Sequence, residues 1–282
     1  MPLPGDPNPL LLAPFGAAIG LIGSVLGVGG GIFVVPVLVL ALGVPMHQAI
    51  AVSLAAIVAA SSAVASVNVE RGLANMRLGV TLEVTTAAGS ICGALASGSI
   101  SHRVLQITFA LALFPVAAAM LLKSRSSGGT AAVPPAEGPE GPAGAMDSDF
   151  FDPSRDSRVP YRVRNLAPAS ILSFFAGGLS GLLGLGGGII QVPVMTLVCG
   201  VPMKAAAATS NFLIGVSAAA SAFIYFRRGY LDPDLAAPIV VGVLIGSFAG
   251  IKVLYRAQAG RIQSVFSVFV LAVAAKMLWA AL

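Results

Sequence analysis

Two short glycine-rich runs are the residues of this chain most suited to bind a ligand: GVGGGI at positions 27–32 and GLGGGI at positions 184–189. A glycine-rich break that opens a helix presents unpaired backbone N–H groups at the positive end of the helix dipole, and both features favour an anion. Glycine also lacks a side chain that would keep a ligand away from the backbone. The pattern predicts a shared anion site formed by Gly29, Gly30, Gly31, Gly186, Gly187 and Gly188.

Each run is also expected to interrupt a helix, with a proline a few residues further on. The residues assigned to these hinges are Gly27, Pro36, Gly184 and Pro193. A second interpretation of the glycines stays open, namely that they only let helices cross closely. A dinucleotide-binding fingerprint is excluded, because the runs lack its last glycine and follow no strand.

Polar side chains near the two runs are the next candidates for contact with the anion. They are Ser53 in the first half and Gln191, Thr209, Ser210 and Asn211 in the second. The last three are adjacent in an apolar helix and therefore need partners, whereas Gln191 stands where the first half has Val34. Because serine and threonine also hydrogen-bond between membrane helices, a structural role stays open for each hydroxyl.

One carboxylate, Glu83, lies a few residues inside an apolar helix predicted to begin at Leu78. An ionisable residue within a membrane helix is a functional candidate by default, and here it indicates proton coupling. The alternative is that Glu83 lies near the cytoplasmic interface and is solvated. No metal site is predicted, because Cys92 and Cys199 lie inside apolar stretches without CxxC spacing.

The composition indicates where these residues act. The chain is 57% hydrophobic and 10% charged, with a mean hydropathy of +0.93, whereas soluble domains carry roughly 25% charged residues. Its apolar runs approach the roughly 20 residues that a helix needs to cross a bilayer. We therefore expect a polytopic membrane protein. The net charge of +5 reflects basic residues at helix ends, not a nucleic-acid-binding patch.

The two glycine runs belong to an internal repeat with an offset of 157 residues, the separation of Gly27 and Gly184. Pro36 recurs at 193, Ser53 at 210, and the Gly-Val-Pro turn at 43–45 recurs at 200–202. The repeat predicts an all-α membrane fold of two homologous halves, each with a glycine-broken helix pair and three transmembrane helices. Glycines at four-residue spacing, at positions 89, 93, 242, 246 and 250, predict close helix packing.

Residues 1–123 form the first predicted membrane repeat and residues 167–282 the second, separated by a flexible linker at 124–166 that is rich in Ser, Gly and Pro. Basic residues at both ends of the linker place it in the cytoplasm by the positive-inside rule. Since residues 32–42 are too few for a full span, each broken pair is a re-entrant hairpin or two short spans. We prefer inverted halves, in which the two breaks meet near the midplane. Parallel halves fit the basic residues almost as well.

The doubled run G-x-G-G-G-[IF]-x-x-V-P-x-[LM], the Gly-Val-Pro turn and the Thr-Ser-Asn helix resemble the sulfite exporter TauE/SafE family of membrane permeases. The resemblance covers nearly the whole chain apart from the linker. It implies export or uptake of small sulfur-containing anions, such as sulfite, sulfoacetate or other organosulfonates, driven by an ion gradient. We expect a secondary transporter of the plasma membrane that works as an exporter. The family positions that it carries over are Gly29, Gly30, Gly31, Pro36, Ser53, Gly186, Gly187, Gly188, Pro193, Thr209, Ser210 and Asn211.

Two other function classes stay open. A cation or metal permease would need carboxylate, His or Cys groups that converge in the membrane. A non-transporting membrane scaffold would explain packing glycines but not two matched helix breaks. No enzyme is predicted, since no pair of nucleophile and base is visible. No cofactor, metal or nucleic acid is expected. The expected partners are a small anion, the lipid bilayer and, as one open assembly, a second copy in a homodimer.

Overall fold

The computed structural model describes residues 9–26, 30–126, 146–152, 157–254 and 270–279, and these are almost entirely helical. The helices are α1 (Pro9–Leu26), α2 (Gly31–Ala41), α3 (Met46–Glu70), α4 (Met76–Ser97), α5 (His102–Ser126), α6 (Leu166–Leu183), α7 (Gly188–Pro193), α8 (Met203–Arg227), α9 (Pro233–Leu254) and α10 (Val270–Trp279). A π-helical turn, Val194–Val198, continues α7. The predicted all-α membrane class is therefore confirmed.

The helix boundaries repeat with the offset found in the sequence. Helix α6 begins and ends 157 residues after α1, α8 after α3, and α9 after α4. Helix α7 and its π-helical turn together match α2. Five helices are long and apolar enough to cross a membrane, namely α3, α4, α6, α8 and α9, whereas the described parts of α1, α2, α5 and α10 form shorter apolar helices.

Glycines bring α4 and α6 into backbone contact. A methyl group on Gly89 would overlap the carbonyl oxygen of Phe174, and one on Gly93 would overlap that of Gly178. The ascending order of these contacts shows that α4 and α6 run parallel. The predicted packing role of the glycine ridge is confirmed, because only a residue without a side chain allows this approach.

The equivalent pair, α1 and α9, packs in the same way. Gly16 faces the carbonyl oxygen of Ile239, and Gly20 faces that of Val243, so these two helices are also parallel. The first helix of each half therefore packs against the fourth helix of the other half. The two repeats interlock and share one core instead of forming separate bundles.

Contacts at both ends of α4 fix its direction relative to α8. At its start, the N–H of Asn75 donates to Thr209 Oγ1 near the start of α8 (2.9 Å). At its end, the Ala94 carbonyl accepts from Arg228 Nη1, just beyond α8 (2.8 Å). Helices α4 and α8 are therefore parallel.

Helix α3 runs opposite to α4. The short loop 71–75 joins the end of α3 to the start of α4. At the other end of both helices, His47 Nε2 lies 3.0 Å from the carbonyl oxygen of Ser97. The two helices are therefore antiparallel.

The linker contains a structural element that the sequence analysis did not anticipate. Strands β1 (Ser148–Asp152) and β2 (Ser157–Tyr161) pair antiparallel. The hairpin lies at the start of α4, where Asn75 Nδ2 donates to the carbonyl oxygen of Met146 (3.0 Å). Positions 127–145 and 153–156 of the linker lie outside the described residues.

Candidate functional site

The two glycine breaks meet each other in the centre of the molecule. A methyl group on Gly31 would lie 2.7 Å from the carbonyl oxygen of Gly184. Ser53, on α3, donates its hydroxyl to that same oxygen (2.8 Å) and lies 3.3 Å from the carbonyl oxygen of Gly31. One buried side chain therefore connects the breaks of both halves. Gly27 and Gly29 lie outside the described residues.

The second break is a buried left-handed turn, here called the glycine turn and comprising residues 184–188. Gly184, Gly186 and Gly187 have φ values of 67°, 70° and 22°, a conformation that residues with a Cβ rarely adopt. The backbone N–H groups of Leu185, Gly186 and Gly187 donate to no acceptor among the described residues, although all three residues are buried. Successive free N–H groups in such a turn form a concave site for an anion.

Two buried hydroxyl groups flank the glycine turn. Ser210 Oγ on α8 would lie 3.1 Å from a methyl group on Gly188, and Ser180 Oγ on α6 would lie 3.7 Å from one on Gly187. Both serines are 1% exposed. Neither hydroxyl has a hydrogen-bond partner within the described part of the chain. The turn thus combines three backbone donors with two side-chain donors that have no acceptor among the described residues.

Two isoleucines at equivalent positions form the apolar wall of the glycine turn. Ile57 on α3 packs against Gly31 and Gly186, and Ile214 on α8 packs against Gly186 and Gly188. They follow Ser53 and Ser210 by one helical turn, so each half supplies the same serine and isoleucine pair. These side chains cover glycines of the turn, and all of residues 184–188 are buried.

The first break is described from Gly30 onward. Gly30 is left-handed, with φ 75°, and its carbonyl oxygen accepts from the N–H of Phe33 (3.0 Å). Pro36 and Pro193 lie inside the helices that follow the breaks, and the π-helical turn begins directly after Pro193. The prolines therefore shape the short helices, while the glycines make the turns.

The side chains of Thr209 and Gln191 are engaged by groups outside the glycine turn. Thr209 Oγ1 donates to the Ala205 carbonyl (2.8 Å) and accepts from the Asn75 N–H, so its hydroxyl is engaged at the start of α4. Gln191 Nε2 donates to Thr86 on α4 (2.6 Å). Asn211 is 6% exposed, and its side chain makes no hydrogen bond within the described residues. Of the predicted polar contacts, Ser53 and Ser210 lie at the turn.

Glu83 is buried in α4 and is 7% exposed. Neither of its carboxyl oxygens has a hydrogen-bond partner in the ranges that the structure covers. Of the two environments considered from the sequence, the structure therefore favours the protein interior over solvent. No group of three His, Cys, Asp or Glu side chains that could hold a metal ion occurs among the described residues.

Sequence reasoning missed Ser180, Ile57 and Ile214. Ser180 is an isolated serine in an apolar helix, where the first half has Gly23, and nothing in the pattern separates it from a packing serine. The two isoleucines could have been found through the repeat, because each lies one turn after a predicted serine. Apolar residues, however, carry no chemical signal of their own in an apolar helix.

Comparison with known proteins shows which family this chain resembles. A family model described as sulfite exporter TauE/SafE matches residues 12–277. The probable membrane transporter protein YunE of Bacillus subtilis (strain 168) is 24% identical over 278 residues, covering 96% of this chain and 97% of that protein. A probable membrane transporter protein of Xylella fastidiosa (strain 9a5c) is 26% identical over 267 residues, covering 94% and 92%.

A plant relative matches a shorter part of this chain. Sulfite exporter TauE/SafE family protein 5 of Arabidopsis thaliana is 34% identical over 88 residues, covering 31% of this chain and 19% of that protein. No solved structure gives a significant match.

Proposed function

The chain belongs to the sulfite exporter TauE/SafE family, and on that basis we propose that it is a secondary transporter that exports a small sulfur-containing anion, such as sulfite or an organosulfonate, from the cytoplasm. The observation that carries this proposal is the glycine turn with its three free N–H groups and two free hydroxyls. Backbone donors in a buried site favour an oxyanion, whose several oxygens can accept from all of them.

The absence of a cation from this donor set suits transport. Ser180, Ser210 and the glycines of the turn are neutral, and hydrogen bonds from neutral donors bind an anion without a buried counter-ion. A site that is favourable enough to fill but weak enough to empty is what permeation needs. Ile57 and Ile214 exclude water around the turn, which strengthens each hydrogen bond. No catalytic step is part of this proposal.

We further propose that the two halves are inverted relative to each other. Helix α4 is antiparallel to α3 and parallel to α6 and α8. Helix α8 returns through the short loop 228–232 into α9, which is parallel to α1. When these relative directions are combined, α1 runs opposite to α6, and α3 runs opposite to α8. Inverted halves with broken helices at the centre are a common plan for secondary transporters.

The distribution of basic residues supports a cytoplasmic linker in a plasma-membrane protein. Loop 71–75 and the linker hairpin lie at the same end of the molecule, joined by Asn75 and Met146. Arg71, Arg77 and the arginines of residues 157–164 lie at that end, whereas Arg103, Arg227 and Arg228 lie at the other. The end richer in arginine is expected to face the cytoplasm.

Flux into and out of proteoliposomes tests the proposal. The full chain is reconstituted and offered sulfite, thiosulfate, sulfoacetate, taurine and sulfate. We expect saturable flux of at least one sulfur-containing anion. Replacement of Gly30 and Gly187 by valine should abolish that flux while the protein remains inserted, because both glycines are left-handed and line the breaks.

Gly43→Val is the matched control for these substitutions. Gly43 is left-handed too, with φ 64°, but nothing lies within 4 Å of its position. The control therefore introduces similar backbone strain far from the breaks, and flux should persist. Indifference of the wild-type protein to every anion would contradict the proposed function.

A further inference from the structure

The repeat creates two equivalent helix crossings whose chemistry differs. In one, α4 packs against α6 and α7, and four positions carry polar side chains: Glu83, Thr86, Ser173 and Gln191. In the other, α9 packs against α1, and the positions equivalent by the repeat offset hold Val240, Val243, Gly16 and Val34. We call the first set the polar crossing and the second set the apolar crossing.

The polar crossing contains a continuous hydrogen-bond chain. Ser173 Oγ on α6 donates to Gln191 Oε1 on α7 (3.1 Å). Gln191 Nε2 donates to Thr86 Oγ1 on α4 (2.6 Å), and Thr86 Oγ1 donates to the Leu82 carbonyl (2.8 Å). Ser173 and Gln191 are 0% exposed and Thr86 is 1% exposed. The apolar crossing shows that tight packing at these positions does not need polar groups.

Glu83 lies one helical turn from Thr86 on the same face of α4. No ion pair or hydrogen bond engages its carboxyl group anywhere in the described chain. An ionised carboxylate without a partner is very costly in an apolar interior. The group is therefore held in its neutral form until access to water or a cation allows it to release a proton.

The elements packed against α4 offer Glu83 no compensating charge. Helix α6, helix α7 and the π-helical turn contain no titratable residue. The titratable residues of α8 are Lys204 near its start and Tyr225 and Arg227 near its end. The linker hairpin and its flanking residues contribute Asp147, Asp149, Asp152, Arg158, Tyr161 and Arg162 beyond the start of α4, and α4 itself has Arg77 in its first turn. None of these is bonded to Glu83.

From this asymmetry we propose that the polar crossing is a proton site, with Glu83 as the proton carrier, and that it couples anion transport to proton movement in the same direction. The inference rests on the proposed function. Glu83 takes up a proton when the site is open to one aqueous side and releases the same proton when the site is open to the other. An anion at the glycine turn disfavours a second buried negative charge, so proton and anion cross together.

Gln191 connects the two sites. It belongs to α7, which begins at the last residue of the glycine turn. Any movement of α7 that opens the turn also changes the contact between Gln191 and Thr86 on α4. Protonation of Glu83 and occupation of the glycine turn therefore act on the same short helix. Gln191 and Thr86 are positioning residues in this scheme.

The test measures proton and anion movement in the same vesicles. Full-length wild-type protein and Glu83→Gln are reconstituted with a pH-sensitive dye trapped inside. We expect an anion gradient to drive proton movement in the same direction in the wild-type protein. In Glu83→Gln we expect loss of that proton flux and of acceleration by a pH gradient. Exchange of labelled for unlabelled anion should continue when the anion concentration is equal inside and outside the vesicles, because the neutral amide mimics the protonated acid.

Two controls accompany this variant. Glu70→Gln removes an exposed carboxylate at the end of α3 and should couple protons like the wild-type protein. Val240→Gln places an amide at the equivalent position of the apolar crossing, and it should leave proton coupling intact. If Glu83→Gln still moves protons with the anion, the proposal is overturned. The same holds if Val240→Gln abolishes coupling equally.

A second measurement separates this inference from the proposed function. The infrared C=O stretch of a protonated carboxylic acid is recorded for the purified proteins at neutral pH. The band should be present in the wild-type protein and reduced in Glu83→Gln, whether or not any anion is transported. If no anion of the panel moves, the proposed function fails and the band alone decides whether Glu83 holds a proton. Absence of a difference band would overturn the inference.

Discussion

Ser53 and Ser210 occupy equivalent positions in the two halves but have opposite hydrogen-bond states. The Ser53 hydroxyl joins the carbonyl oxygens of Gly31 and Gly184, whereas the Ser210 hydroxyl has no partner in the described part of the protein. A buried hydroxyl without a partner destabilises the fold. In the proposed function, the bound anion accepts from this hydroxyl.

Ser53→Ala should reduce both stability and transport. The substitution leaves two buried carbonyl oxygens with one donor fewer, at a cost of about 1 kcal/mol in the free energy of unfolding, in the range observed for hydrogen bonds between membrane helices. Thermal unfolding of the purified protein measures the first effect, and anion flux measures the second. The control is Ser62→Ala, because Ser62 is exposed and bonds only within its own helix. An unchanged melting temperature would contradict the assigned role of Ser53.

Ser210→Ala should behave differently. No internal hydrogen bond is lost, so the free energy of unfolding should stay within about 0.5 kcal/mol of the wild-type value. A hydrogen bond to a charged ligand contributes about 1.5–3 kcal/mol, so the KM for the anion should rise by about tenfold or more. Ser217→Ala is the control, since its hydroxyl bonds the Leu213 carbonyl of the same helix (2.9 Å). Equal KM values for Ser210→Ala and the control would exclude Ser210 from the site.

At the scale of elements, backbone contact between helices positions the glycine turn. Helix α6 ends at Leu183, directly before the turn, and it is held by glycine contacts along α4. Two neighbouring glycines of α6 differ in this interface: a methyl group on Gly177 would overlap the Thr86 carbonyl, whereas one on Gly178 would lie 3.6 Å from the Gly89 carbonyl.

These neighbours form a matched pair for mutation. Gly177→Ala should lower the free energy of unfolding by about 1–3 kcal/mol, because the helices must separate to admit the methyl group. Gly178→Ala should be neutral or stabilising by up to about 1 kcal/mol, since alanine favours the helix. Thermal unfolding in detergent compares the two proteins. Similar destabilisation by both substitutions would show that the close approach at Gly177 does not position these helices.

At the scale of the whole molecule, the proposed inversion predicts on which side of the membrane equivalent residues lie. Glu70 and Arg227 end α3 and α8, are separated by the repeat offset, and are both exposed. If the halves are inverted, these residues face opposite sides. If the halves are parallel, they face the same side.

Labelling of single cysteines distinguishes the two arrangements. In a protein in which Cys92 and Cys199 are replaced by serine, Glu70→Cys should react with an impermeant thiol reagent only from the cytoplasmic side. Arg227→Cys should react only from the outer side. Asp149→Cys, in the exposed linker hairpin, should report the same side as Glu70→Cys. Labelling of both loop variants from one side would contradict the inverted arrangement.

The sequence by itself determined the membrane class, the two repeats, the glycine breaks and the packing glycines. These properties reside in composition, spacing and an offset that recurs along the chain, so no knowledge of the fold is needed to read them. The family followed from the same residues. The repeat also paired Ser53 with Ser210, and both serines lie beside the glycine turn.

Only the tertiary structure decided which donors are free. The partner of Ser53 is Gly184, that of Thr209 is Asn75 and that of Gln191 is Thr86, and each pair is more than one hundred residues apart. Equivalent side chains at 53 and 210 therefore end in different hydrogen-bond states, although the repeat makes them look alike. A sequence pattern specifies which residues share a helix face, whereas hydrogen-bond saturation depends on which distant backbone atoms reach that face.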